Sequence, residues 1–226
     1  MRRLLGLVSA TIFQDLSRFW CLITALSIPK IKVGRNSIVL WSRVRNQAGG
    51  NSLQIGANCT IRHLQVSFTG QGNQITIGDG VRIYEGTRIE MDGNDCELII
   101  HAKTTIGQAS FFLGESNTSI SLGEDCMLSR QITFTTSDYH SILDQESGER
   151  INLPDNIEIA PNVWIGNNVL INKGASVPTE TVIAARAVVS GNKFKSNSII
   201  AGIPARTVRE GIKWSREKIE RYTEDA

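Results

Sequence analysis

Apolar residues recur at every sixth position through residues 157–189, and small or turn-forming residues fill the intervals. The register holds without interruption at Ile159, Ile165, Ile171, Val177, Ile183 and Val189. A period of six matches neither the 3.6-residue period of an amphipathic helix nor the alternation of a half-buried strand, so the repeating unit is larger than one element. The pattern predicts a coil with three short flat sides, each one hexapeptide long, whose aliphatic residue points into the axis.

The same spacing is present upstream of this stretch and then stops. Further apolar sets lie six apart at Ile77, Ile83 and Ile89, at Ile100, Ile106 and Phe112, and at Leu122, Leu128 and Phe134. Over residues 135–156 the period is lost, and the sequence TTSDYHSILDQESGERINLPDN is rich in Asp, Ser, Gly and Pro. A loop of this length inside an ordered repeat is more often functional than accidental.

The first 30 residues follow a different pattern. In residues 1–30 apolar side chains recur at helical spacing, which predicts an amphipathic helix. They are Leu4, Val8, Ile12, Leu16, Phe19 or Trp20, and Ile23. Asp15 and Arg18 interrupt this run before it can cross a bilayer. Two interpretations remain for this segment: packing against its own protein or a symmetry mate, or peripheral contact of residues 4–26 with a membrane surface.

The rest of the chain divides into a coil and a tail. Residues 31–200 are predicted to form the β-helix domain, with the loop at 135–156, and the tail 201–226 is predicted to close it with a helix carrying Val208 and Ile212. Neighbouring coils hydrogen-bond as parallel strands, so the two ends need caps, which terminal helices can supply. The predicted fold class is all-β, a parallel β-helix of hexapeptide repeats with N-terminal and C-terminal helical segments.

Composition narrows the class of protein. The chain has 226 residues and 41% apolar composition, which fits one domain with a sizeable core. Its net charge is +2, so no global basic field argues for nucleic acid. The four cysteines lack the spacing of a metal or redox site and are dispersed at Cys21, Cys59, Cys96 and Cys126. A cytoplasmic location is therefore favoured, at the inner face of the membrane if the N-terminal segment contacts lipid.

Several motifs follow one another between residues 137 and 206. They are Ser137-Asp138-Tyr139-His140, Gly148-Glu149-Arg150-Ile151-Asn152, Val163-Trp164-Ile165-Gly166, Lys173-Gly174 and Ala201-Gly202-Ile203-Pro204-Ala205-Arg206. In this order they resemble the left-handed β-helix acyltransferases built from hexapeptide repeats. Within that superfamily the sequence is similar to bacterial O-acetyltransferases that modify capsular or other surface polysaccharides, including the polysialic acid O-acetyltransferases. The resemblance implies a left-handed coil and acetyl-CoA as co-substrate.

The resemblance also implies roles for residues of the loop and of the coil after it. His140 corresponds to the catalytic histidine, which is chemically sensible because imidazole, with a pKa of about 6.5, can take the proton of a sugar hydroxyl as it attacks a thioester. Trp164 matches a tryptophan beside the thioester and acceptor; the alternative is an aromatic that fills a corner between stacked subunits. Asp138 either orients His140, binds an acceptor hydroxyl or helps to form the turn of the loop. His63 and His101 lack such a context.

For acetyl-CoA the resemblance points to the last coils. The implied contacts are Asn167, Ala185, Ser190, Arg206 and Arg209. The pantetheine arm would pass along the backbone of Ala185, and the two arginines would face the phosphates. The chain departs from its relatives at residues 184–187, where Ala-Ala-Arg-Ala replaces the usual Gly-Ala-Gly-Ser, and at Gly191, which replaces a common lysine. Lys193 or Lys195 is then the candidate for that charge.

The predicted function is acetyl-CoA-dependent O-acetyl transfer to a hydroxyl of a surface saccharide or its precursor. Transfer would be direct, with His140 as general base, because no Cys or Ser shows the expected pairing with it. An N-acetyltransferase acting on an amino sugar is the runner-up, since the same base and groove would serve an amine, and a non-catalytic scaffold follows. A β-helix metalloenzyme needs several histidines in a zinc site, and the three here are widely spaced, so no metal is expected. The family and the flat faces of a triangular prism predict a homotrimer.

Overall fold

Short β-strands joined by tight corners make up the structure, a computed structural model that describes residues 19–25, 29–191 and 193–219. The first strands in chain order are β1 (Phe19–Ala25), β2 (Lys30–Val33), β3 (Ile38–Asn46), β4 (Ser52–Ile55), β5 (Thr60–Arg62), β6 (Gln65–Phe68), β7 (Gln74–Ile77), β8 (Arg82–Ile83), β9 (Arg88–Met91), β10 (Glu97–Ile100), β11 (Thr105–Ile106) and β12 (Ala109–Leu113). The others are β13 (Ser119–Leu122), β14 (Met127–Leu128), β15 (Ile132–Thr135), β16 (Ile157–Ile159), β17 (Trp164–Ile165), β18 (Leu170–Asn172), β19 (Ser176–Val177), β20 (Val182–Ile183), β21 (Val188–Val189), β22 (Ser198–Gly202) and β23 (Ala205–Glu210).

Each coil places its strands on three faces of a prism. Face 1 contains the first half of β3 and then β5, β8, β11, β14, β17, β20 and β22. Face 2 contains the second half of β3 and then β6, β9, β12, β15, β18 and β21. Face 3 contains β2, β4, β7, β10, β13, β16 and β19. Strands of successive coils pair in parallel on every face, with Ile165 opposite Ile183 for example. The result is a parallel β-helix of about 7 coils.

The aliphatic positions of the period-six pattern form the axis of this helix. Ile159, Ile165, Ile171, Val177, Ile183 and Val189 are all buried in one core cluster. Burying each such side chain contributes roughly 1.5–3 kcal/mol, so the column stabilises the stack along its whole length. The prediction of a three-sided coil with an aliphatic axis is confirmed.

The register at Phe112 differs from the sequence prediction. Phe111 is fully buried and stacks on Phe134 of the next coil, with ring centroids 4.8 Å apart, whereas Phe112 faces outward. The inward residue Phe111 follows the inward residue Ile106 by five positions rather than six, so the corner between β11 and β12 is one residue shorter than the period of six requires. Because strand side chains alternate, this one-residue change exchanges the two faces of β12.

The predicted N-terminal helix is wrong over Phe19–Ala25. This segment is strand β1, which pairs in parallel with β3 from Phe19 opposite Val39 to Ala25 opposite Asn46. The free edge of the first coil offers unpaired backbone groups, and pairing satisfies them better than a helix packed beside them could. Residues 1–18 of the predicted helix lie outside the described residues.

The predicted C-terminal helix is also wrong within the described tail. Strand β22 continues face 1 by pairing with β20, and β23 returns antiparallel to it. Gly202, with φ of 100°, and Pro204 turn the chain back between the two strands. The described residues contain no helix long and apolar enough to span a bilayer.

Candidate active site

The loop predicted from the break in the repeat leaves the coil at one corner of the prism. Residues 136–156 connect β15 of face 2 with β16 of face 3. The loop is ordered internally: Leu143 and Arg150 form an antiparallel bridge, and Oδ1 of Asp144 accepts the backbone N–H of Ser147 at 2.8 Å. The segment therefore projects as a small hairpin from the corner between faces 2 and 3.

One side chain joins the residues on either side of His140. The nearly buried amide of Asn152 accepts the backbone N–H of Ile142 at 2.7 Å through Oδ1. Its Nδ2 donates to the carbonyl oxygen of His140 at 2.8 Å and to Oδ2 of Asp138 at 2.8 Å. Asn152 thus fixes the backbone around His140, and His140 itself is exposed.

Two ion pairs attach the base of the loop to the coil. Nζ of Lys173, which follows β18, lies 2.5 Å from Oδ2 of Asp138 and donates to the carbonyl oxygen of Asn152 at 3.0 Å. Arg150 binds Glu115 of the preceding coil with two hydrogen bonds of 2.6 and 2.7 Å. Hydrogen bonds from Lys173 and then Asn152 lower the pKa of Asp138, and Arg150 lowers the pKa of Glu115. Both carboxylates are therefore ionised and paired at neutral pH.

Tyr139 restrains the chain just before His140. Its φ of 60° lies in the left-handed region, which a bulky residue rarely adopts. The ring packs directly on the backbone of Gly114, where an added Cβ would lie only 2.4 Å from Cε1 of Tyr139. Its N–H also donates to Oγ of Ser137 at 3.3 Å. The left-handed turn is held by packing on one side and by Asn152 on the other.

Trp164 lies on face 1, outside the coil, and is 38% exposed. Its ring centroid is 6.1 Å from that of Trp214, at an angle of 45°. Trp214 belongs to residues 211–219, which run back along the coil after β23 and which we term the C-terminal strap. Its indole N–H donates to the carbonyl oxygen of Asn162 at 2.7 Å. The strap therefore supports one side of the Trp164 ring.

Arg216 anchors this strap further along the coil. Its guanidinium donates to Oδ1 of Asp125 at 3.0 Å, to Oγ1 of Thr105 at 2.9 Å and to the carbonyl oxygen of Cys126 at 2.9 Å. It also lies 5.9 Å from the centroid of the Trp214 ring. One side chain therefore ties the strap to two earlier coils and packs against the indole that contacts Trp164.

Two of the residues predicted to contact acetyl-CoA share a cleft near the C-terminal end of the coil. Ser190 and Arg206 line a volume of about 400 Å³ together with Lys193, Phe194 and Thr207. Two cations and two hydroxyls suit phosphate groups, and the Phe194 ring adds an apolar wall. The cleft thus has the chemistry required for a nucleotide with an apolar extension.

The basic residues near Gly191 separate into two kinds. Lys193, one candidate for the charge that the usual lysine would supply, lines the cleft. Lys195, the other candidate, is paired with Glu210 at 3.0 Å. Arg209 is exposed on β23 and is not among the residues that line the cleft.

Asn167 and Ala185 form a second group at the corner between faces 1 and 2. They occupy successive coils, where the N–H of Arg186 donates to the carbonyl oxygen of Asn167 at 2.9 Å. Gly166 packs closely on the coil below, since an added Cβ would lie 2.7 Å from the backbone nitrogen of Ala185. Ser190 follows β21 and lies at the opposite edge of face 2 from this group. The five residues predicted to contact acetyl-CoA are therefore distributed over two corners of the prism and β23.

His140 and Trp164 lie on different sides of the same chain. The loop that carries His140 leaves the corner between faces 2 and 3, while Trp164 is on face 1. Asp138, in contrast, adjoins His140 through the Asn152 amide. Among the described residues, no group of three or more His, Cys, Asp or Glu side chains converges as metal ligands would.

Comparison with known proteins decides the family. No protein-family model matches the chain. A polysialic acid O-acetyltransferase of Neisseria meningitidis is 34% identical over 187 residues, which are 83% of this chain and 86% of that one. The chain belongs to the capsular polysaccharide O-acetyltransferase family. The crystal structure of the polysialic acid O-acetyltransferase OatWY matches with a TM-score of 0.80 at 30% identity, covering 91% of this chain and 95% of that one. That of the polySia-specific acetyltransferase NeuO matches with a TM-score of 0.74 at 29% identity, covering 91% and 93%.

Membership of this O-acetyltransferase family completes the description of the fold. The coil is the left-handed β-helix of the acetyltransferases, as predicted, and the protein is an O-acetyltransferase. Sequence reasoning missed the supporting residues of the candidate site. Asn152 belongs to one of the motifs that the sequence displays, but no role was predicted for it. Glu115 and Trp214 carry no local signal, because their partners Arg150 and Trp164 are 35 and 50 positions away in the sequence.

Proposed function

We propose that this O-acetyltransferase transfers the acetyl group of acetyl-CoA to a hydroxyl of a surface saccharide (capsular, lipopolysaccharide or exopolysaccharide) or its precursor, with His140 as general base. The observation that carries the proposal is the setting of His140, exposed on a left-handed turn whose two flanks are fixed by Asn152. The relatives named as polysialic acid O-acetyltransferases support a saccharide acceptor.

The chemistry requires one base and no covalent enzyme intermediate. The imidazole of His140 takes the proton of the acceptor hydroxyl as the oxygen attacks the thioester carbonyl. The new ester C–O bond forms, the C–S bond breaks, and the imidazolium returns the proton to the departing thiolate. An acyl-cysteine route is disfavoured for the described thiols: Cys59, Cys96 and Cys126 are buried. Burial raises the pKa of Cys59, and it raises that of Cys126 to about 11.

The cleft at the C-terminal end supports acetyl-CoA as the donor. We propose that Lys193, Arg206 and Ser190 bind its phosphates and that Phe194 lies against an apolar part of the molecule. Asn167 and Ala185 would then contact the pantetheine arm at the other corner. A Lys193→Ala variant tests the phosphate role, because it should raise KM for acetyl-CoA and leave KM for the acceptor unchanged.

We further propose that the active site is built between subunits of a homotrimer. The loop exposes apolar side chains that a soluble surface does not usually collect over so few residues: Ile142, Leu143, Ile151 and Leu153, which are 55–64% exposed. Packing these side chains on a neighbouring copy would bury them. It would also bring His140 of one chain to Trp164 of the next, which their separation within one chain favours.

Activity assays test the base. A His140→Ala variant should lose about 10²–10⁴-fold in kcat, and His101→Ala, the matched control outside the loop, should stay near the parent. Activity of His140→Ala within a few-fold of the parent would exclude this role.

Mixed trimers test the shared site, because subunits carrying His140→Ala and subunits carrying Trp164→Ala should restore activity when they are reassembled together. Absence of restoration from properly formed mixed trimers would contradict a site built from His140 of one subunit and Trp164 of another.

A further inference from the structure

We propose that the N-terminal end of the β-helix docks on the surface of an anionic lipid bilayer. The charge distribution along the chain first indicates this surface. Residues 1–78 carry nine basic side chains and a single acidic one, Asp15, whereas residues 79–226 carry 15 basic and 21 acidic side chains. The net charge of +2 is therefore the sum of +8 over residues 1–78 and −6 over residues 79–226.

The structure places the basic residues around the first two coils. Six exposed side chains lie there on all three faces and at a corner: Lys30, Lys32, Arg35, Arg43, Arg45 and Arg62. None of the six forms an ion pair with another described residue. A linear polymer would follow one face and leave the others unused. A flat anionic surface that meets the end of the prism can attract the whole ring at once.

An exposed aromatic side chain stands in the same ring. Trp41 is 59% exposed at the corner between faces 1 and 2, where its left-handed φ of 51° turns the chain within β3. Its ring stacks on that of His63 in the next coil, with centroids 5.1 Å apart. A rigid exposed tryptophan among lysines and arginines is typical of a membrane–water interface.

The chain before the coil joins the molecule at this end. Strand β1 lies against β3 of the first coil, so residues 1–18, with Arg2, Arg3 and several leucines in their sequence, are connected here. The His140 loop leaves four coils later, about 19 Å along the axis at an inter-strand spacing of ~4.8 Å. Docking by this end would thus hold the loop above the lipid headgroups.

Vesicle binding by the full chain tests the proposal independently of acetyl transfer. The protein should co-sediment with vesicles of 30% phosphatidylglycerol in phosphatidylcholine at 0.1 M NaCl, bind pure phosphatidylcholine at least tenfold less, and lose binding at 0.5 M NaCl. Loss of one Lys or Arg near such a surface lowers partitioning about fivefold. The combined Lys30→Glu, Lys32→Glu and Arg35→Glu variant should therefore bind at least ~100-fold less.

A matched variant separates this surface from net charge alone. Combined Arg82→Glu, Arg130→Glu and Lys213→Glu changes give the same net charge but lie outside the first two coils, and this variant should keep most of its vesicle binding. Equal losses of vesicle binding in both variants would overturn the proposal. Unchanged binding of the first variant would also overturn it, because binding would then be assigned to residues 1–18. Trp41→Ser should weaken vesicle binding several-fold. A protein that binds a soluble anionic polysaccharide through these residues and leaves anionic vesicles unbound would also overturn it.

Discussion

The side-chain Nδ2 of Asn152 donates to the carbonyl oxygen of His140 at 2.8 Å and to Oδ2 of Asp138 at the same distance. The catalytic candidate is therefore positioned through its backbone, by the side-chain amide of a residue whose own carbonyl oxygen accepts a hydrogen bond from Lys173. The loop resembles a hairpin in outline, but its base is a polar network centred on the nearly buried Asn152 side chain, where a lost partner leaves a desolvated amide atom unpaired.

Asn152→Ala should lower kcat by about 10- to 100-fold, because a misplaced base loses proton transfer long before the protein unfolds. KM for acetyl-CoA should change little. Asn156→Ala is the control, since Asn156 sits at the end of the same loop and accepts the N–H of Ser119 at 2.8 Å without touching the residues around His140. In a His140→Ala background the Asn152 change should have almost no further effect on kcat. Additive losses would mean that Asn152 acts by another route.

Phe111→Ala should destabilise the protein by about 3–5 kcal/mol, because it removes a fully buried ring that stacks on Phe134. Phe112→Ala should cost about 1 kcal/mol or less, since that ring faces outward and lies against the Arg88 guanidinium, 5.9 Å from its centroid. Urea unfolding at a fixed protein concentration compares the two neighbours. Similar losses would contradict the register of β12.

Acid should loosen the loop before it affects the coil. The folded-state pKa values of Asp138 and Glu115 are lowered by Lys173 and Arg150 respectively. Their contributions to stability are therefore fully present above the ordinary values of about 3.9 and 4.3, and they are lost as the pH falls through the lowered values. Hydrogen exchange of residues 138–152, corrected for its intrinsic pH dependence, should accelerate below about pH 4. In Asp138→Asn this acceleration should be smaller, and an unchanged profile would argue against the ion pair.

Trp214→Ala should lower kcat/KM roughly three- to tenfold, because the ring that supports Trp164 is removed. Trp214→Phe should restore most of the activity by keeping an aromatic contact. The near-ultraviolet circular dichroism of the indole pair, with centroids 6.1 Å apart, should disappear in Trp214→Ala. Trp41→Phe is the control and should leave that signal in place. A lost signal with unchanged kinetics would restrict the strap to a structural role.

Much of the fold follows from local patterns that the sequence displays directly. The period of six predicted the three-sided coil, because each hexapeptide must place one aliphatic residue on the axis. The break in the period predicted the loop, and no residue of 135–156 belongs to the apolar core. The one-residue change at Phe112 escaped this reasoning, since a corner shortened by one residue leaves no mark in composition.

The ends of the coil were decided by tertiary pairing. Apolar residues at helical spacing predict a helix for Phe19–Ala25, but the open edge of β3 offers hydrogen bonds that a strand alone can use. The tail likewise became β22 and β23 because face 1 continues beyond β20. Propensity is a weak guide wherever a sheet edge is available.

For the candidate site, the sequence by itself determined which residues are candidates for the chemistry, and the order of the motifs singled out His140 and Trp164 among them. Only the tertiary structure decided how His140 is held, because Asn152 folds back on it from the far end of the loop while Lys173 and Glu115 reach the loop from neighbouring coils. Only the structure showed that His140 and Trp164 lie on different sides of one chain. The physical reason is the same in each case: stacking coils brings together residues about one coil or more apart in the sequence, and no local pattern records that distance.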